Sequence, residues 1–520
     1  MNAEALTRTL QDFLSDASGA VVLADHAVAF DLAQARYSVS GEHNKCLLHL
    51  WSTERNTVRR VLDAEVKNGS LRLSVQRLGQ SHPSKLEICR DRDRRSPSAK
   101  RAARAAYEQK LKRAIERHFP GFSITRLTTG VDLEKSFGPI YARGLLRKGQ
   151  TAFALLGVNA TETQNSIDAA LTLGILWLDL CRQSSTGVML VEGLIIFVPA
   201  GCSAVVRERI SNLNHSAAKW RMFEFDERHD ALAEVDCSDR GNIATRLVHA
   251  TNETAALERF DESITRVQTI LPNCEVAILS PAEISFRWRG LEFARARMGA
   301  EAVTFRGKQE IVFGVGAEEC ILEDRNWTMF VQLITALRDA RHPYGPRQNR
   351  LFRMHPERWL ESLVRADVSV IDERLEAESV YSQVPAFSAA DRAMIDVLTL
   401  THGGRLAVVE LKADEDIHLP VQGLDYWARV QWHQGREEFL GFGYFGGRVL
   451  SDESPLLFLV APALHVHPAT DVILRYFSPE IDWVFVGIDE RWREGVRVVF
   501  RKRRQQSHED SRLRDIARAV

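Results

Sequence analysis

Short apolar runs separated by charged and glycine-rich turns make up most of the chain, and helical spacing appears at a few places only. Ala3–Leu14 has the period of an amphipathic helix, and the runs Ala20–Leu23, Cys46–Trp51 and Ser70–Val75 read as strands, so residues 1–95 predict a small α+β domain. A helix is predicted from about Ala99 to His118, at the head of an α/β domain over 100–230. A charged segment, a helix over Glu253–Ile270 and strands at Glu275–Leu279 and Ile311–Val315 predict another α+β block over 231–345. Residues 350–502 predict a helix at Glu357–Arg365, a strand at Ser379–Phe387, strands at Ile395–Leu400 and Leu406–Leu411, and a helix opened by Pro420. Residues 503–520 form a basic tail.

The two runs around Gly403 and Gly404 read as a β-hairpin. Three charges interrupt these core-like strands: Asp396, Glu410 and Lys412. Glu410 and Lys412 are two apart and share a strand face. A three-residue loop, His402-Gly403-Gly404, with a glycine in the left-handed position, places Asp396 opposite Glu410. A two-residue Gly-Gly turn would send Asp396 to the other face. Two adjacent carboxylates suit Mg²⁺, and a neighbouring lysine can orient a water or stabilise phosphate charge. On a helix from Pro420, Gln422 and Tyr426 lie one turn apart on one face.

An E-x-K on a strand is by itself more often a solvated edge. The order Asp396, Glu410-Leu411-Lys412, Gln422-Gly423-Leu424-Asp425-Tyr426 says more, and resembles the PD-(D/E)xK phosphodiesterase superfamily, in its branch with a trailing Q-x-x-x-Y helix. The likeness covers roughly Met354 to Phe500. No proline precedes Asp396, a departure that many members share. The resemblance implies a restriction-endonuclease-like α-β-β-β-α-β core. It implies that Asp396, Glu410 and the carbonyl of Leu411 bind Mg²⁺, with Mn²⁺ able to substitute. Lys412 would stand at the attacking water, and Glu361 would join the metal from the upstream helix. The expected function is then a metal-dependent nuclease with DNA as the partner. The alternative is a non-catalytic nucleic-acid-binding or scaffolding protein built on the same folds.

Residues 107–228 echo this region. Phe153–Ala160 aligns without a gap to Leu406–Ala413, Leu194–Ala200 to Leu457–Ala463, and Trp220–Glu227 to Trp483–Glu490. In that register Gly157 stands at Glu410, Asn159 at Lys412, Ala169 at Gln422 and Leu173 at Tyr426. The expectation is a degenerate copy of the nuclease fold without an active site.

Composition narrows the rest. With 520 residues, 45% hydrophobic and 26% charged, the chain predicts a multidomain globular protein. A formal net charge of -1 means that nucleic-acid contact must use local patches. The candidates are Arg90–Arg117, with eleven Lys/Arg against four acids, and the arginine-aromatic stretch from Ile284 to Gly299. Both also read as ordinary solvated or paired faces. Seven scattered cysteines without a CxxC pair argue against a zinc site and a disulfide framework and predict a reducing, cytoplasmic setting. No apolar run is long enough to predict a membrane partner, and nothing in the sequence sets the oligomeric state.

Overall fold

In the computed structural model the described residues run from Asn2 to Arg504, apart from 16, 18, 25–26, 33–34, 43–44, 53–55, 68–69, 77–82, 91–96, 133–136, 186–188, 240–242, 251–252, 301–306, 317–318 and 389–391. The expected tail beyond Arg504 and most of the Arg90–Ser98 linker lie outside them. The chain divides into two compact units, Met1–Ile210 with His215–Ser238, and Ser211–Asn214 with Asp239–Val520. The expected blocks 1–95 and 100–230 thus share one unit, and 231–345 and 350–502 the other. The division falls after Ser238 rather than at 230, because Ala231–Val235 pairs antiparallel with Lys219–Asp226 and stays with its partner.

Mixed α/β structure recurs in each unit. The first opens with the helix Ala3–Leu14, which buries Leu6, Leu10 and Phe13 against a seven-stranded antiparallel sheet. The second contains a five-stranded antiparallel sheet, Glu275 to Ile321, whose core holds Phe286 and Phe293 against Phe330 of the helix Trp327–Ala340. The helix expected over Glu253–Ile270 is two helices, Glu253–Arg259 and Asp261–Gln268, broken at Phe260.

Each unit also holds a second sheet, of mixed parallel and antiparallel strands, and these two share one plan. In the first unit the strands run Ser123–Thr128, Tyr141–Lys148, Thr151–Val158, Leu190–Pro199, Lys219–Asp226 and Ala231–Val235. In the second they run Tyr381–Ser388, Arg392–Leu400, Leu406–Leu411, Leu456–Pro462, Asp482–Ile488 and Val498–Arg503, with Thr245–Arg246 on the outer edge of the first. In both, the first two pairings are antiparallel, the next two parallel and the last antiparallel. In both, a helix precedes the first strand, and a second helix (Ala170–Ser184, Leu419–Gln434) connects the third strand to the fourth. The parallel step requires that crossover.

The ungapped alignment of the hairpin strands is one residue out. Leu194 pairs with Trp220 as Leu457 does with Trp483, so these blocks are in step. Ala154, however, pairs with Leu194, whereas Ala407 pairs with Leu456. A one-residue slip exchanges the two faces of a strand. Phe153 and Leu155 join the core beneath the first helix, as Ala407, Val409 and Leu411 do in the second unit. The residues on the face of Glu410 and Lys412 are therefore Leu156 and Val158, both buried and apolar. The crossover helices need a correction too. A Cβ on Gly174 would meet Leu194 and Ile196, and one on Gly423 would meet Leu457 and Leu459. Matching these glycines puts Leu173 at Gln422 and Trp177 at Tyr426.

Two contacts fix the helix that leads into the second unit's large sheet, Pro356–Ala366. The turn Arg289-Gly290 lies so close that a Cβ on Gly290 would sit 1.9 Å from the carbonyl oxygen of Arg358. Arg341 is 0% exposed and ties the loop before the helix. Its Nε and Nη2 donate to the Arg289 carbonyl at 3.1 and 2.9 Å, its Nη1 to Leu351 and Met354 at 2.9 and 2.6 Å, and its Nη2 to His355 at 3.2 Å. Burial lowers its pKa to about 10, so it stays charged. Among the described residues no helix is long and apolar enough to cross a membrane.

Candidate functional site

The hairpin has the register that its charges require. Val397 pairs with Val409 and Leu400 with Leu406, which sets Asp396 across from Glu410. The loop closes by Thr401 N–H donating to the Arg405 carbonyl at 2.8 Å, leaving His402, Gly403 and Gly404 inside it. Gly404 takes the left-handed conformation, φ 78°. It also packs against the Val449 carbonyl, where a Cβ would fall at 2.3 Å.

The carboxylates sit where water is scarce. Glu410 is 2% exposed, and its Oε2 has no hydrogen-bond partner. Burial, then the nearby charge of Asp396, pushes its pKa well up, against the pull of Lys412. Burial also raises Asp396, although its Oδ2 accepts the Leu411 N–H at 3.0 Å and Lys412 opposes the shift. Lys412 Nζ lies 3.3 Å from Glu410 Oε1, 3.8 Å from Glu357 Oε1 and 4.0 Å from Asp416 Oδ2. Burial works to lower its pKa, but Glu410, Glu357, Asp396 and Asp416 outweigh it and hold the ammonium above its ordinary value. Lys412 is thereby held as a cation beside the carboxylates.

Glu361 comes from the helix Pro356–Ala366 and is 5% exposed. Burial lifts its pKa to about 7 against the pull of Arg358, with Asp396 adding to the rise. Its Oε2 accepts from Arg358 Nη1 at 3.0 Å and Gln383 Nε2 at 2.7 Å. Gln422 and Tyr426 lie on the helix Leu419–Gln434. The Gln422 Oε1 is buried without a partner. Burial, then Glu410 and Asp396, raises the Tyr426 pKa and keeps its hydroxyl protonated. Asp396, Glu410, Lys412, Glu361 and Tyr426 thus feel one another's charges around one hairpin end, and Gln422 lies one turn before Tyr426 on the same helix. The amide of Leu411 contributes its N–H to Asp396.

Three residues of this centre escaped the sequence reading. Glu357 is one turn before Glu361 on the same helix face, a four-residue spacing that could have flagged it. Arg358 partners Glu361. Gln383 has no such signal. Its neighbours Ser382 and Val384 pair with Val397 and Ile395, so it lies across from Asp396. It holds a left-handed φ of 54° inside a strand, and its Oε1 is buried and unpartnered. Strain of this kind costs about 1–3 kcal/mol and clusters at functional positions.

Among the described residues no three His, Cys, Asp or Glu side chains converge as a ready-made metal cage. The oxygens gathered here are those of the paired carboxylates and of Gln383, and Oε2 of Glu410 and Oε1 of Gln383 are buried without a partner. Oxygen donors of this kind could hold a hard divalent cation that keeps several waters. Other charged groups pair elsewhere. His465 faces Glu490 at 3.4 Å and His467 faces Glu415 at 3.9 Å. In the basic helix Pro97–His118, Arg104 pairs with Glu162 and Arg113 with Asp230, and Lys110 donates to the Glu227 carbonyl. In the Ile284–Gly299 stretch, Arg295 pairs with Glu292 and Arg297 with Glu310.

Set beside known proteins, the chain matches no family model and no curated protein.

Proposed function

We propose that the second unit is a metal-dependent phosphodiesterase of the restriction-endonuclease-like kind, with nucleic acid, and DNA first, as its substrate. The observation that supports this most directly is the pairing of Asp396 and Glu410 across the hairpin, with Glu410 Oε2 orphaned and Lys412 at 3.3 Å. The order helix, three strands, helix, strand agrees with the fold expected for such enzymes. Asp396, Glu410, the Leu411 carbonyl and Glu361 would hold Mg²⁺, which when bound supplies a Lewis acid for the phosphate and an acidified water. Lys412 holds its ammonium beside the carboxylates and aligns the attacking water. Tyr426 keeps its O–H as a donor next to Glu410, and Gln422 offers an acceptor. Gln383 and Arg358 hold the Glu361 carboxylate in place.

The first unit follows the same strand plan with Leu156 and Val158 on the equivalent face. It is proposed as a copy of the fold that has lost the site and serves packing or binding.

Cleavage of single- and double-stranded DNA with Mg²⁺ or Mn²⁺, wild type beside Glu410→Gln and Lys412→Ala, tests the reading. Cutting that needs the ion and disappears in both variants is expected. Cutting that persists in both, or ion binding by calorimetry that Glu410→Gln leaves unchanged, would sink it.

A further inference from the structure

The stripe of the crossover helix that bears Gln422 and Tyr426 continues. Arg429 follows seven residues after Gln422 and three after Tyr426, so the three side chains fall on one helix face. The Arg429 guanidinium carbon lies 5.9 Å from the Tyr426 ring centroid. Tyr426 in turn feels the charges of Glu410 and Asp396. Arg429 is 6% exposed, yet its Nε and Nη1 have no hydrogen-bond partner, and no carboxylate pairs with it among the described residues. A buried guanidinium with orphaned N–H groups destabilises a free protein. The buried Arg341, by contrast, spends its donors on four carbonyls.

The first unit provides an internal comparison. With Gly174 matched to Gly423, the same stripe there reads Leu173, Trp177 and Leu180 where the second unit has Gln422, Tyr426 and Arg429. The helix packs on its sheet perfectly well with an apolar stripe. The polar stripe occurs in the unit that has the acid pair and the lysine, so packing does not require Arg429.

Planar, donor-only and permanently charged, the guanidinium matches phosphate oxygens in a fork. We propose that Arg429, with the Tyr426 hydroxyl beside it, forms a phosphate-binding subsite that grips a phosphodiester of the substrate strand next to the bond held at Asp396, Glu410 and Lys412. The subsite deepens the nuclease reading and rests on it for the identity of the strand. It acts in binding and register, not in proton transfer.

The test uses the full chain in a Lys412→Ala background with Mg²⁺, so that bound DNA stays intact. Melting without DNA and affinity for short labelled single- and double-stranded DNA across a salt series are measured for this parent and for Arg429→Met and Arg429→Lys. The expected result is a higher melting temperature for Arg429→Met, since an unsatisfied buried charge is gone. Its DNA affinity falls about tenfold or more, with the slope of log affinity on log salt smaller by about one. Arg429→Lys recovers part of the binding, because a point charge replaces the fork. A lower melting temperature for Arg429→Met together with unchanged DNA affinity would make Arg429 a packing residue and overturn the subsite. A parent that ignores DNA is tested with inorganic phosphate. Stabilisation by phosphate that Arg429→Met abolishes keeps the subsite and overturns the nucleic-acid reading. Indifference to both overturns the two together.

Discussion

Raising the pH should destabilise the metal-free protein, and Glu361 accounts for a defined share of the loss. Its carboxyl is buried, with a pKa lifted from 4.5 to about 7. A group whose folded pKa exceeds its unfolded one favours the fold while protonated. Its stabilising contribution is complete below about pH 4.5, declines as pH rises and is gone above about pH 7. At ~1.4 kcal/mol per pH unit of displacement, the loss levels off at about 3 kcal/mol. Asp396 and Glu410 are displaced in the same direction and add to the wild-type slope. Glu361→Gln keeps the shape and the capacity to accept from Arg358 while removing only this titration. In a unit of this size ~3 kcal/mol corresponds to a melting difference on the order of 5–10 °C. The assay is calorimetric melting in chelator from about pH 5 to about pH 8, wild type against Glu361→Gln. Wild type is expected to fall more steeply, and the two curves to separate by that amount at the alkaline end. Saturating Mg²⁺ should reverse the wild-type trend, because ionised carboxylates bind the ion better. Parallel curves for the two proteins in chelator would refute the placement of Glu361 in a dry, anionic cluster.

Gln383→Ala removes the 2.7 Å hydrogen bond that favours the ionised Glu361. The midpoint of the wild-type-minus-Gln profile measured in that background should move above pH ~7, and a midpoint that stays put would count against it. Arg341→Leu removes the guanidinium donors from the carbonyls of Arg289, Leu351, Met354 and His355 and should cost about 3–5 kcal/mol in urea denaturation. Gly290→Ala forces a Cβ to 1.9 Å from the Arg358 carbonyl at a φ of 72°, so the hairpin tip must leave the helix. A loss of about 3 kcal/mol or more is expected, with weaker Mg²⁺ binding because Glu357 and Glu361 move with that helix. Stability within ~1 kcal/mol of wild type would show that the contact is loose.

Much of the centre was legible because strand parity is a strict code. Asp396, Glu410 and Lys412 share a face only if the loop is odd, and Gly404 supplies the left-handed residue that such a loop needs. Helical spacing likewise makes Gln422 and Tyr426 neighbours, and four- and seven-residue intervals on the same helices reach Glu357 and Arg429. Gln383 was out of reach. It meets Asp396 through a strand pairing across a turn, and its left-handed backbone breaks the alternation that sequence patterns rely on. The slip in the repeat has a related cause. Phe153–Ala160 is apolar on both faces, so sliding it by one residue against Leu406–Ala413 leaves the pattern almost unchanged, and only the ladder with Leu194 shows the true register.

The sequence by itself determined most elements around the central hairpin, its turn chemistry and the set of residues proposed to hold a divalent ion, because these follow from local periodicity and the geometry of single elements. The tertiary structure alone decided which strand pairs with which, how far each carboxyl is removed from water, and that Nε and Nη1 of Arg429 are buried without a hydrogen-bond partner. Those depend on which distant segments exclude solvent from a side chain, and no local pattern encodes that.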